Sequence, residues 1–214
     1  MKKLYFKYGV MGSSKSAQAL MTAFNYRQKG IKVLLLKSCI DTRDNTSSPM
    51  ITSRIGLSSQ CITFSQDENL LLLVEKYPTC QVIVVDEAQF CSKQQINQLK
   101  ELTIKNKVVL CYGLKTNFKG ELFEGSKRLL EIAESIQEIK STCRCGEKST
   151  MNARIIDGYV VTQGQEIQIG GDESYEGMCY ECYKKYQTTP IEKLQKITEN
   201  ENLNETNIED ELSM

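Results

Sequence analysis

From Leu4 to about Thr142, short apolar runs alternate with longer stretches in which apolar residues recur at helical spacing. The runs Leu4 to Val10, Lys32 to Lys37, Gln81 to Val85, Lys107 to Tyr112 and Ile136 to Ser141 predict strands. Between them, Lys15 to Lys29, Asp67 to Lys76, Lys93 to Thr103 and Ser126 to Glu134 carry the three-to-four-residue period of helices packed on a sheet. Strands that alternate with helices in this way predict one α/β unit with a parallel sheet and helices on both faces.

Residues Asp41 to Ser59 interrupt the alternation with polar, Ser/Thr-rich sequence and Pro49, too long for an ordinary connection, and predict a flexible functional loop of poor order. After Thr142 the chain turns into a cysteine-bearing, mostly β segment ending near Tyr186. Beyond Pro190 it becomes an acidic tail with seven acids and two lysines, expected to be disordered after at most a short helix. The expected divisions are therefore 1–142, 143–189 and 190–214.

Composition narrows the function classes. Apolar residues are 40% and charged residues 25% of the 214, as in soluble globular chains. Lys+Arg and Asp+Glu both total 27, so there is no global positive field to hold nucleic acid. The longest apolar runs fall far short of the roughly 20 residues of a membrane helix. The start of the chain lacks an apolar signal region, which makes the cytoplasm the expected address. No histidine is present, so proton transfer falls to a carboxylate, lysine, cysteine or tyrosine.

The first strand runs into Gly9-Val10-Met11-Gly12-Ser13-Ser14-Lys15-Ser16 and then a helix, the setting of a P-loop. Backbone N–H groups of such a loop hold phosphate oxygens, Lys15 reaches the β/γ-phosphates, and Ser16 ligates Mg²⁺. Ser14 stands where the pattern has its second glycine, and a plain Gly/Ser helix cap is the competing reading. The buried-type strand Val82 to Val85 ends in Asp86-Glu87, at the edge of a parallel sheet where ligands bind. Asp86 suits a magnesium-holding role and Glu87 a general base or water orienter, although acids at strand ends also serve as helix caps.

Nine cysteines in a chain read as intracellular point to thiols and metal ligands rather than disulfides. Cys143-Arg144-Cys145 and Cys179-Tyr180-Glu181-Cys182 form two knuckles around a β-type stretch, which fits a tetrahedral Cys₄ zinc ribbon of structural role. Free thiols, a redox pair or an iron–sulfur centre are the other readings of the same four residues.

The P-loop with Ser14 before its lysine, Asp41-Thr42-Arg43, Asp86-Glu87-Ala88-Gln89-Phe90, Asn117-Phe118 with Phe123, Ile169-Gly170-Gly171 with Tyr175, and the paired cysteines follow one another in the order of a known family. In this the chain resembles the type II, zinc-containing thymidine kinases, from about Leu4 to Tyr186. The resemblance implies a RecA-like P-loop sheet with a C-terminal Cys₄ zinc-ribbon and lasso domain. It also implies transfer of the γ-phosphate of ATP to the 5′-hydroxyl of thymidine, or of deoxyuridine, with Glu87 as base. A lasso from about Asp157 to Tyr175, including Gly170, would close over the thymine. Phe90, Phe118, Phe123 and Tyr175 would wall the base with Met11 and Leu114, while Asp41 and Arg43 approach the 5′ end and Arg154 falls near the site. Gly9, Met11, Gly12, Ser13, Ser14, Lys15, Ser16 and Asp86 would hold the phosphates and their Mg²⁺. Cys143, Cys145, Cys179 and Cys182 would hold structural Zn²⁺. A homotetramer and feedback inhibition by thymidine triphosphate are implied in the same way, with no stable nucleic-acid or membrane partner. Because the knuckles bracket the lasso, loss of zinc is expected to weaken thymidine binding ahead of ATP binding. Two other classes compete: a P-loop ATPase of RecA or helicase type acting on nucleic acid, and a zinc-ribbon nucleic-acid binder without turnover.

Overall fold

A computed structural model describes residues 2–39, 49–164 and 175–191. In chain order the elements are β1 (Leu4–Tyr8), α1 (Lys15–Gln28), β2 (Val33–Ser38), β3 (Met50–Thr52), β4 (Ser58–Gln60), β5 (Ile62–Phe64), α2 (Leu70–Glu75) and β6 (Val82–Asp86). A 3-10 turn at Ala88–Phe90 leads to α3 (Lys93–Ile104), β7 (Val108–Gly113), α4 (Glu124–Ile132) and β8 (Ser135–Glu138). The C-terminal part holds β9 (Met151–Ile156), β10 (Tyr159–Val161), β11 (Tyr175–Met178) and α5 (Tyr180–Lys185).

The main sheet is parallel throughout, in the order β5-β2-β6-β7-β1-β8. Its strands are apolar on both sides because helices cover both faces. On one face Leu34, Leu36, Ile83, Val85 and Val109 pack under Leu73 of α2, Ile96 and Leu99 of α3 and Leu129 of α4. On the other, Leu35, Val82, Val84 and Tyr112 meet Ala19, Leu20 and Ala23 of α1. Full burial of each aliphatic side chain contributes about 1.5–3 kcal/mol. An exposed ion pair such as Lys105–Glu75, at 2.8 Å, contributes at most about 1 kcal/mol. The two apolar layers therefore hold the fold.

One expectation is corrected. The segment expected to be a poorly ordered loop from Asp41 to Ser59 contains, in its described part, the antiparallel pair β3–β4, closed by Ser53 N–H donating to Leu57 O at 2.8 Å. The cysteine segment, expected to be mostly β, holds β9, β10 and β11 and also α5, which Cys179 caps by accepting the Cys182 N–H on its sulfur at 3.4 Å. The edge strand β5 is an addition the pattern does not predict. Among the described residues, no helix is long and apolar enough to cross a membrane.

Candidate active site

One strand, β7, separates β1 from β6, so the loop leaving β1 and the acids ending β6 face each other across the end of β7. Gly9 N–H donates to Gly113 O at 3.3 Å. A Cβ on Gly9 would lie 2.3 Å from Ser13 Oγ and 2.6 Å from Ile139 O, so only glycine fits this start of the loop. The loop then closes with Ser13 N–H on Val10 O at 3.2 Å. Ser14, at the position usually held by glycine, takes the left-handed conformation with φ 62°. That costs a serine about 1–2 kcal/mol and preserves the turn into α1. Lys15 is buried and its Nζ donates to Val10 O at 2.8 Å, folded over the loop.

Opposite it, Asp86 is 2% exposed and accepts from the Ser16 hydroxyl. Burial, and then the neighbouring Glu87 charge, push its carboxyl up to about 7, against the pull of Ser16 and Lys15. Its Oδ1 has no hydrogen-bond partner among the described residues. A buried carboxylate oxygen without a donor, next to a serine hydroxyl, is a donor set that fits a hard cation such as Mg²⁺. Because the folded chain binds this proton more tightly than the unfolded chain, the associated stability is full below the ordinary value of 3.8 and is lost as pH rises through about 7. We therefore expect ligand-free protein to lose melting temperature between about pH 4 and pH 7 relative to Asp86→Asn, with no further loss above that. A constant difference across that interval would show that Asp86 ionises normally.

Glu87 follows in a left-handed conformation, φ 52°, and is 8% exposed. Its Oε2 accepts from Gln89 Nε2 at 2.6 Å, and Gln89 Oε1 accepts from Leu114 N–H at 3.0 Å. Met11, Gly12, Ser13, Ser14, Lys15, Ser16, Asp86 and Glu87 line one cleft of about 320 Å³; Gly9, expected among the phosphate-binding residues, is not part of its lining. Two further cations line it that the sequence reading missed. Lys37 sits in register with Asp86 at the end of β2, and a lysine closing an apolar strand at the ligand edge was the available signal. Arg54 comes from the turn between β3 and β4, and nothing local in a segment read as irregular points to it.

The residues assigned to the nucleoside lie beyond Glu87. Phe90 and Phe123 meet edge to face with centroids 5.8 Å apart. Phe118 is 1% exposed, with the Arg154 guanidinium 5.2 Å from its ring centroid, and Arg154 pairs in register with Tyr175 between β9 and β11. Leu114 is held at both backbone polar groups, by Gln89 and by Ser126 Oγ, which donates to its carbonyl at 2.5 Å. Asp41, Arg43 and Gly170, and with it the centre of the expected lasso, fall outside the described residues.

The ligand atoms of Cys143, Cys145, Cys179 and Cys182 lie within 4.8 Å of one another, with Cys145 Sγ and Cys179 Sγ 3.6 Å apart. Tetrahedral Zn²⁺ with Zn–S of about 2.3 Å needs S···S edges of about 3.8 Å, so the four thiols fit it. The sheet they staple abuts the P-loop. Met11 N–H donates to Asn152 Oδ1 on β9 at 2.8 Å, and Asn152 Nδ2 donates to Thr116 O at 2.7 Å. On β11, a Cβ at Gly177 would lie 2.6 Å from Val10 Cγ2 and 2.9 Å from Met11 O.

A family model described as Thymidine kinase matches residues 2–183. The thymidine kinase of Legionella pneumophila (strain Lens) is 42% identical over 191 residues, covering 86% of this chain and 90% of its own. That of Haemophilus influenzae (strain ATCC 51907 / DSM 11121 / KW20 / Rd) is 42% identical over 190 residues, covering 86% and 97%. That of Shewanella oneidensis is 39% identical over 193 residues, covering 87% and 98%. The Pif1 helicase structure from Candida albicans overlays 65% of this chain and 36% of its own at TM-score 0.40 and 14% identity, too loosely to bear on fold or function.

Proposed function

The chain belongs to the thymidine kinase family, and from that premise we propose how its cleft moves the γ-phosphate of ATP to the 5′-hydroxyl of thymidine. The observation that carries the reading is the shared cleft, in which the P-loop lysine and the Asp86-Glu87 pair face one another. The N–H groups of Gly12 to Ser16 and the Lys15 ammonium hold the phosphates. Ser16 and Asp86 hold Mg²⁺, which when bound neutralises charge on the phosphate oxygens. Glu87 takes the 5′-hydroxyl proton, a role that falls to a carboxylate in a chain without histidine. Thymidine lies over Met11, Phe90, Leu114, Phe118, Phe123 and Tyr175, with Asp41 and Arg43 toward its 5′ end and Gly170 in the closing lasso. Deoxyuridine, which lacks only the thymine methyl, is also accepted. Cys143, Cys145, Cys179 and Cys182 hold structural Zn²⁺.

The same reading gives a P-loop domain over 1–142, a zinc-binding domain over 143–189 and an acidic tail over 190–214. The separate small core of Ala153, Val160, Met178 and Tyr183 supports the first boundary. It further gives a cytoplasmic homotetramer under feedback by thymidine triphosphate, with no stable nucleic-acid partner. The helicase-type ATPase reading is not favoured, since the family and its named relatives are kinases.

Incubation with ATP, Mg²⁺ and a panel of nucleosides tests the activity. Phosphate is expected on thymidine and deoxyuridine, and ATP turnover driven by nucleic acid instead would overturn the assignment. In the same assay Lys15→Ala should lose roughly 10²- to 10³-fold in kcat, as for removal of one group that stabilises transition-state charge. Its zinc content should be unchanged, and a fully active variant would exclude the P-loop role.

A further inference from the structure

We infer that Gln89 is the positioning residue for the Glu87 carboxylate, and that it sets the base and the nucleoside seat relative to each other through one amide. This rests on Glu87 being the base. Gln89 is 2% exposed and both ends of its amide are committed. The Leu114 N–H can only donate, so Oε1 must face it, and Nε2 is thereby turned to Glu87. The 2.6 Å bond to Oε2 is short for N–H···O, as charge-assisted bonds are.

The need for such a holder follows from the local backbone. Glu87 leaves β6 in a left-handed conformation, and its side chain has three rotatable bonds. The 3-10 turn closes behind it with Phe90 N–H on Glu87 O and Cys91 N–H on Ala88 O, both at 3.1 Å, which fixes the backbone and not the carboxylate. Gln89 fixes one carboxylate oxygen, and its own anchor, Leu114, is fixed in turn by the fully buried Ser126. Two glycines admit this arrangement. A Cβ at Gly113 would lie 2.6 Å from Gln89 Oε1, and one at Gly125 would lie 2.6 Å from the carbonyls of Ala88 and Cys91. A misplacement of about 1 Å at a reacting group costs on the order of 10²-fold in rate, so holding this oxygen matters to turnover rather than to affinity.

The test compares Gln89→Glu and Gln89→Met, each alone and combined with Glu87→Gln, by steady-state kinetics in both substrates. Gln89→Met removes the donor to Glu87 without adding charge, whereas Gln89→Glu keeps an oxygen for the Leu114 N–H but sets a second carboxyl against Glu87, where the two must share a proton. We expect kcat to fall on the order of 10²-fold with both KM values nearly unchanged, and no further loss once residue 87 is Gln. Wild-type kcat in Gln89→Met, a loss confined to KM, or a loss repeated in full beside Glu87→Gln would overturn the inference. Should the Gln89 variants not fold, Gly113→Ala displaces the amide while retaining Gln89 and Glu87. It should show the same fall in kcat, and unchanged kcat there overturns the inference equally. Wild-type kcat in Glu87→Gln alone is a separate result, which dismisses Glu87 as base and this role of Gln89 with it.

Discussion

Glu87→Gln is expected to lose roughly 10²- to 10⁴-fold in kcat while binding ATP and thymidine as before, because general-base catalysis contributes about that much. The amide is isosteric with the carboxylate, so the bond from Gln89 Nε2 still finds an oxygen and the left-handed turn at residue 87 is undisturbed. What disappears is the capacity to take the proton of the 5′-hydroxyl. Steady-state kinetics with both substrates varied, together with direct binding titrations, separate the two quantities. A variant that turns over at the wild-type rate would move the proton transfer to Asp86 or to the substrate phosphate. One that instead loses thymidine affinity would make Glu87 a binding group. Asp86→Asn does not substitute for this experiment, since the Asp86 side chain is assigned to the cation beside Ser16.

Removal of zinc should have the other large effect, and the packing changes its expected form. Structural zinc contributes on the order of 10 kcal/mol to folding a small module, so Cys182→Ser should be largely insoluble or lack an ordered ribbon. From the knuckles alone, thymidine affinity is expected to fail first. The structure ties the ribbon sheet to the phosphate loop through the Met11–Asn152 bond at 2.8 Å and the close seat of Gly177 on Val10 and Met11. Loss of the metal should therefore weaken ATP and thymidine binding together. Elemental analysis is expected to find one zinc for the four-cysteine cluster of the wild type. Titration of chelated protein with each ligand then decides the coupling. Retained ATP affinity beside lost thymidine affinity would show that the two contacts do not carry it, and a metal-free wild type of full activity would remove zinc from the account.

What the sequence made legible was contiguous. The strand Val82 to Val85 with its two acids, the glycine-bearing loop before Lys15 and the two cysteine knuckles each hold their chemistry within a few residues, and all stand where expected. Three-residue strands such as Ile62–Phe64 give too few positions for a period, and β5 escaped for that reason. α5 is six residues long and starts from a metal-type knuckle, so its cysteines outweighed its helical spacing. Gly56, whose φ of 84° turns the chain between β3 and β4, stands in a polar stretch without a strand period, so neither the hairpin nor the place of Arg54 in the cleft was legible. Asn152 and Gln89 could not be assigned their contacts from sequence, because each acts across the fold. Asn152 reaches Met11 from 141 residues away, and Gln89 reaches Leu114 from 25.

The placement of β1 bears on the order in which the protein is made. The strand that leads into the phosphate loop lies between β7 and β8, pairing Leu4 with Val109 and Tyr5 with Ser135, so its partners follow it by 105 and 130 residues. The loop it feeds rests on Asn152 and Gly177. On a ribosome adding about 5–20 residues per second, β1 waits roughly 5 to 25 seconds for the two strands that flank it. Until then its apolar residues Leu4 and Phe6, fully buried in the finished sheet, have no native neighbours. The phosphate loop is thus seated only once the chain as far as Gly177 has followed it, and until then β1 is an unpaired apolar strand open to other pairings.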